Sequence, residues 1–541
     1  MLGQARRTVN VFASRRPRLG ELLDSRSQSF DRAHAVLPST AVGGERLGLT
    51  VQVWDGYERQ YPGFDGAFRV ETTDPEADHP DRIDFRAAAT AVQRAGVTFN
   101  TPGVQYLTLV HEGTGDRYRA NPVQVHESAP ERRIYWGDIH LHSTLSDGTG
   151  RLAKGYRFGR RVMDLDVVAY TDHDTMGFFI PPSRQRRRMH DQYFDRMRDV
   201  AEAFNDPGEF VTLFAYEWTK QPYKGGHVNV YFDDPDAAEL VDSHEAPTPG
   251  ELFDALRDWR DRTGERVLAI PHHSAEASYP FDFSAVEYDD DIAPLVEVYS
   301  QWGSSEAPAS AGNDNPVTMG DGEVDEPGHY VQDALALGER VGMLAAADYH
   351  GPHPGHSLVH ADPHLPALGE WLDSGLGWGN IWRVWNEPSY PGGLTAFRAT
   401  ELTREAIFDA LSTRRVYGTS QPHRILVDFA VNGVSVGEAD SRVELDAADD
   451  PREVTVEVAG TRPLARVTVV KNNEDWHVVE GTDDAGAGLE EYTTSVSVTD
   501  DEPVTGMAFD AERGTDDDTY YLRVEQAGEG LAWAGPIWVG T

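Results

Sequence analysis

A chain of 541 residues is too long for one ordinary domain, and two to four are expected. Hydrophobic residues make up 39%, enough for a core, so wholesale disorder is excluded, and no apolar run is long enough to span a bilayer. The formal charge of −42, from 90 acidic against 48 basic residues, speaks against nucleic acid as a partner, because a phosphate backbone needs a basic face.

The carboxylates are spread through every segment rather than gathered in a tail, and the only lysines are Lys154, Lys220, Lys224 and Lys471. The expectation is an acidic, halophilic surface, since salt near 1 M screens charges within about 3 Å and makes self-repulsion tolerable. Cysteine is absent, so disulfides and thiolate chemistry are excluded and a metal must be held by nitrogen and oxygen. Residues 1–20 are Arg-rich with no apolar signal core behind them. The expected setting is cytoplasmic, with no membrane contact.

In chain order, residues 1–34 read as a polar arm and 35–130 as a β-sandwich of short alternating runs, such as Leu49-Thr50-Val51-Gln52-Val53-Trp54. From 131 to 422 apolar strands alternate with helical patterns, which points to βα units. Strands are expected at 134–142, 166–171, 210–216, 228–232, 267–271, 295–299 and 341–347. Helices are expected at 186–204, 250–262 and 404–413, the last capped by Thr403. The long irregular stretches 301–328 and 351–379 are expected to be lids or substrate walls. Residues 423–541 return to alternating strands joined by acidic loops, a second β-sandwich.

Ligand-type residues recur at the ends of the central strands. In Ile139-His140-Leu141-His142, alternation along a strand would put both imidazoles on one face, and Asp147 follows in a Ser-Asp-Gly turn. Asp172-His173-Asp174, Glu217, His227, His272-His273 and Asp348-Tyr349-His350 come next. In a βα-barrel such strand ends converge on one face, where active sites are built. A single histidine of this kind is more often solvated or hydrogen-bonded into a loop than a ligand. The ordered set reverses that balance.

The set resembles the polymerase-and-histidinol-phosphatase (PHP) superfamily of metallohydrolases. The matching phrases are His140-Leu141-His142, Thr171-Asp172-His173, Ala215-Tyr216-Glu217, Pro271-His272 and Asp348-Tyr349-His350, over about 131–420. More narrowly it resembles the domain of unknown function 3604 family, through Trp136-Gly137-Asp138, Glu217-Trp218-Thr219, Gly226-His227 and Arg414-Arg415-Val416-Tyr417-Gly418-Thr419.

The resemblance implies a distorted (β/α)7 TIM-like barrel between two β-sandwiches, holding two or three divalent ions (Mn, Zn or Fe). His140, His142, Glu217 and Asp348 would hold the first ion. Glu217 would bridge to a second, held by His227 and His272, and Asp147, His173 and His350 would hold a third. His273 directly follows His272; both stay candidates, with the Pro-His phrase favouring His272. The nucleophile implied is a metal-bridging hydroxide, with Glu217, Asp348 and His350 at the catalytic centre. The implied activity is phosphate-ester hydrolysis on a small-molecule ester.

Arg157, Arg160 and Arg184 to Arg188 are candidate phosphate clamps or helix-surface residues, and Tyr349 either meets the substrate or packs the core. Asp172 or Asp174 is expected to orient an imidazole. His353, His356, His360 and His364 are substrate contacts or a polar loop. Trp371, Trp378, Trp382 and Trp385 line an apolar wall or pack a core around a strand at 381–384. Such a wall suits the alternative, a carboxylic ester or carbamate hydrolase. From another class, the two sandwiches would suit a carbohydrate- or surface-binding protein with a degenerate barrel.

Overall fold

The computed structural model describes residues 29–56, 59–86, 90–177, 180–222, 224–356, 390–480 and 492–541. Most of the expected N-terminal arm, His360, His364, the tryptophans from Trp371 to Trp385 and the strand at 381–384 lie outside the described residues. The fold is mixed α/β and strand-rich, with several sheets.

Three small sheets form the N-terminal part and share one apolar core that includes Leu49, Val51, Phe68, Val97 and Leu109. Alternation explains the longest of their strands, Arg46–Asp55, which turns Leu47, Leu49, Val51 and Val53 into that core.

The central sheet is built on β1 (Arg133–Asp138), β2 (Val167–Tyr170), β3 (Val211–Thr219), β4 (His227–Phe232), β5 (Val267–His272), β6 (Leu295–Ser300), β7 (Gly342–Ala345), β8 (Gly393–Ala399) and β9 (Val416–Ser420). Strands β2 to β6 are buried throughout, which is why they read as continuous apolar runs rather than alternating ones. Helices α1 (Leu152–Phe158), α2 (Phe194–Phe204), α3 (Pro249–Thr263) and α4 (Arg404–Ser412) lie among them. The Thr403 hydroxyl accepts from Ala406 N at 3.3 Å, as expected of the cap. The helix expected at 186–204 is helical throughout, with a π-helical turn at Met189–Tyr193 between its α-helical parts.

Among the described residues the ladder is not closed into a (β/α)7 barrel. Strands β1, β2 and β3 run parallel, as do β5, β6 and β7, but β4 is antiparallel to both its neighbours and β8 is antiparallel to β1 and β9. Strand β7 pairs with β6 and meets β8 and β9 without forming a ladder. Glycine permits that approach, since a Cβ on Gly418 would sit 2.6 Å from Ala345 N.

The expected boundary at 422 is no break in the sheet. Strand β9 pairs with β12 (Leu531–Gly540) through Gly418 opposite Trp533, and β12 continues into β11 (Asp518–Gln526) and β10 (Leu464–Lys471). A separate four-stranded sheet that includes Leu426–Val431 and Arg452–Ala459 packs its apolar face into the same core as Trp136 and Phe214.

Candidate metal centre

Strand register assembles the site. Thr219 lies opposite His227, His227 opposite His272, and His272 opposite Glu297, so one row crosses β3, β4, β5 and β6. Register partners share a face of a sheet, which turns residues distant in sequence into neighbours. His173 and Tyr349 join through isolated bridges, to Glu217 and Leu141. Strand β1 ends at Asp138, four residues short of the expected strand, so His140 and His142 sit on the extended segment beyond it.

All nine sequence-derived candidates meet in one buried cluster: His140, His142, Asp147, His173, Glu217, His227, His272, Asp348 and His350. Glu217 is its centre. Its Oε2 is 3.2 Å from both His140 Nε2 and His142 Nε2. Its Oε1 is 2.8 Å from His227 Nδ1, 3.1 Å from His173 Nδ1 and 3.5 Å from His272 Nε2. Asp348 Oδ1 lies 3.0 Å from His142 Nε2 and 3.3 Å from His140 Nε2. Asp147 Oδ1 lies 3.3 Å from His173 Nε2 and 3.4 Å from His350 Nε2.

The outer ring nitrogens have fixed partners. His140 Nδ1 meets Glu297 Oε2 at 2.9 Å, His227 Nε2 meets Lys220 O at 3.1 Å, and His350 Nδ1 meets Asp348 O at 3.1 Å. A ring nitrogen that donates outward leaves the other as a lone-pair donor toward the centre.

Burial opposes charge on these groups, and pairing overrides it. Burial would lower His140 and His173, yet the carboxylates around them (Asp348 and Glu297 for the first, Glu217 and Asp147 for the second) hold both well above the usual imidazole value. Burial would raise Glu217, yet His173, His272 and His227 hold it well below the carboxylate range. His272 goes the other way, pushed down to about 4 by burial and by His140.

The donor set fits divalent cations. Ligand atoms within 4.8 Å of one another group as His140, His142 and Glu217, as His173, Glu217 and His227, and as His142, Asp147, His173 and His350. Neither ring nitrogen of buried His272 makes a hydrogen bond among the described residues, and the same holds for His142 Nδ1. Borderline metals such as Zn, Mn and Fe suit imidazole with carboxylate.

The expected clamps are elsewhere. Arg157 is exposed with its guanidinium over Phe204, and Arg160 pairs with Asp206 at 2.6 Å beside Asp166 and Glu209, the end where β2 and β3 begin. Helix α1 and the π-helical turn after it carry the chain away from the cluster, which removes both from it. Arg186 pairs with Asp242 and Glu245. Tyr349 is buried, its carbonyl accepts from His142 N at 3.0 Å, and its ring packs near Gly351 and His353, so it serves packing. His353 and His356 are buried against Phe158 and Trp54.

Asp172 and Asp174 shape loops instead of orienting a clustered imidazole. Asp172 accepts from Ser143 N, Ser143 Oγ, Ser146 N and Ser146 Oγ, which folds the turn that delivers Asp147. Asp174 accepts from Thr219 N and Ser243 N. The orienting carboxylate is Glu297, which motif spacing did not single out. Its signal was there, as one charge inside the apolar run Leu295-Val296-Glu297-Val298-Tyr299. Trp302, which donates to Asp348 Oδ2, left no comparable signal.

The family described as "Protein of unknown function (DUF3604)" matches residues 156–308 and 375–450. An uncharacterized protein of Chlamydia pneumoniae is 23% identical over 526 residues, 96% of this chain and 75% of that protein. One of Chlamydia trachomatis is 22% identical over 535 residues, with the same coverage of 96% and 75%. Among solved structures, a two-domain protein of Bacteroides vulgatus containing a predicted PHP-like metal-dependent phosphoesterase aligns at 14% identity. That alignment covers 76% of this chain and 97% of that chain at a TM-score of 0.33.

Proposed function

We propose that this protein is a metal-dependent hydrolase of the PHP type that cleaves phosphate esters. The carrying observation is the split contact of Glu217, with Oε2 on the His140 and His142 side and Oε1 on the His227, His173 and His272 side. A buried carboxylate with both oxygens facing separate sets of imidazoles is placed to bridge two cations.

On this reading His140, His142, Glu217 and Asp348 hold one ion, Glu217, His227 and His272 a second, and Asp147, His173 and His350 a third. Bound there, divalent ions would supply Lewis acidity to the ester oxygen and a nucleophile at neutral pH. The chain itself supplies orientation: Glu297 fixes His140 and Trp302 fixes one oxygen of Asp348. Burial excludes bulk water from the polar cluster, which strengthens every electrostatic contact inside it.

The carboxylic ester or carbamate alternative is favoured by one observation, that Arg157 and Arg160 are engaged away from the cluster and so do not clamp a phosphate. Metal analysis of the purified chain, followed by phosphate, carboxylic-ester and carbamate substrates with Mn²⁺, Zn²⁺ or Fe²⁺, decides between these activities. A chain that binds no divalent metal would instead favour a binding protein.

A further inference from the structure

One imidazole beside His227 and His272 belongs to none of the three sites proposed above. His273 follows His272 at the end of β5 with a φ of 32°, in the left-handed region. Such backbone is strained for a residue with a Cβ and persists where the surroundings demand it. Regular alternation would send His273 to the opposite face from His272. Instead its ring centroid lies 4.4 Å from that of His272 and 5.0 Å from that of His227.

His273 is 4% exposed, and its Nδ1 makes no hydrogen bond among the described residues. One nitrogen from each of His227, His272 and His273 falls within 4.8 Å of the others. Burying unpaired ring nitrogens side by side costs free energy that packing does not return. A cation gathering them removes that cost.

We infer that His273 is a ligand of the second cation, which is then held by Glu217 Oε1 and the imidazoles of His227, His272 and His273. The inference rests on the metal-centre reading and extends it. His272 also groups with His140 and Asp348, so it stands between two sites. Three imidazoles and one carboxylate select Zn²⁺, Fe²⁺ or Co²⁺ over Mg²⁺ and Ca²⁺, which take oxygen.

The test is a Co²⁺ titration of the metal-free full chain, followed by the visible absorption of the bound ion, for the wild type, His273→Gln and His273→Asn. Both variants should bind one cobalt at least about tenfold more weakly and change its absorption, a loss no smaller than that of an outer partner. Excess Mg²⁺ should not displace that ion from the wild type. The wild type also provides a readout that needs no variant. Its cobalt form should show one hyperfine-shifted imidazole more than His140, His142, His173, His227, His272 and His350 account for. Variants that titrate like a normally loading wild type, or no such additional imidazole, overturn this assignment alone. A wild type that takes up no cobalt overturns the metal centre and the assignment with it.

Discussion

The indole Nε1 of Trp302 donates to Asp348 Oδ2 at 2.6 Å, and this leaves Oδ1 turned to His142 and His140. Asp348 has a φ of 50°, and Gln301 Nε2 donates to its carbonyl. The residues just after β6 therefore hold both the backbone and the carboxylate of Asp348. The stretch 301–328, expected as a lid or wall, begins as a brace.

Trp302→Phe keeps the ring and removes the donor. Asp348 is then free to rotate, and cation affinity is expected to fall about 10- to 100-fold, the usual cost of losing a partner behind a ligand. Isothermal titration with Zn²⁺ measures it, with circular dichroism reporting an unchanged fold. Unchanged affinity would show that the indole bond does not position Asp348.

Glu306 ties the same segment to the C-terminal strands. Its Oε1 accepts from the Tyr521 hydroxyl at 2.7 Å and Arg523 Nη1 at 2.8 Å, and its Oε2 from Trp533 Nε1 at 2.7 Å. Glu306→Gln removes the charge, while Asp475 still faces Arg523 at 2.8 Å. The expected loss is about 2–3 kcal/mol, the scale of a hydrogen bond to a charged group. Urea unfolding gives the value, and a midpoint equal to that of the wild type would mean that the contact adds no stability.

Glu217→Gln keeps the shape and one oxygen but loses the charge that both sets of imidazoles face. Affinity for more than one ion should fall by at least about 100-fold, beyond the loss of an outer partner, and turnover with it. His173→Ala leaves His140 and His142 facing both Glu217 Oε2 and Asp348 Oδ1 and should impair binding less. Metal stoichiometry of the two variants is the check, and equal losses would contradict the bridging role.

The pH dependence has a defined sign. Burial would lower His140 and His173, but their carboxylates hold both well above 6.5 in the metal-free chain. A raised folded value contributes stability that is fully present below the unfolded value and is lost as pH rises through the folded one. Thermal midpoints of the metal-free chain should therefore show these groups weakening above about pH 6.5. Ligation needs neutral imidazole, so cation affinity should rise across the same window, with protons released on binding. Affinity that falls as pH rises there would refute the linkage.

Salt provides the last expectation. With a formal charge of −42, dilution from molar to about 0.1 M salt extends the screening length from about 3 Å to about 10 Å and exposes carboxylate repulsion. Unfolding midpoints should fall as KCl is withdrawn. A midpoint that stays level or rises would remove the high-salt adaptation.

The sequence by itself determined the ligand-type residues, from His140 to His350, because metal-ligating chemistry is a property of residue type and order. It also determined most strand and helix positions, including the Thr403 cap, because apolar periodicity is local. Tertiary structure decided the rest. Glu297 reaches His140 across a separation of 157 residues, and Trp302 reaches Asp348 across one of 46. Arg157 and Arg160 had suitable chemistry but face outward, because α1 and the turn after it lead away from the cluster. The C-terminal strands looked separate and yet extend the central sheet, because β9 finds its partner in β12. Hydrogen-bond partners and sheet edges are settled by which distant segments pack together, and no local pattern records that.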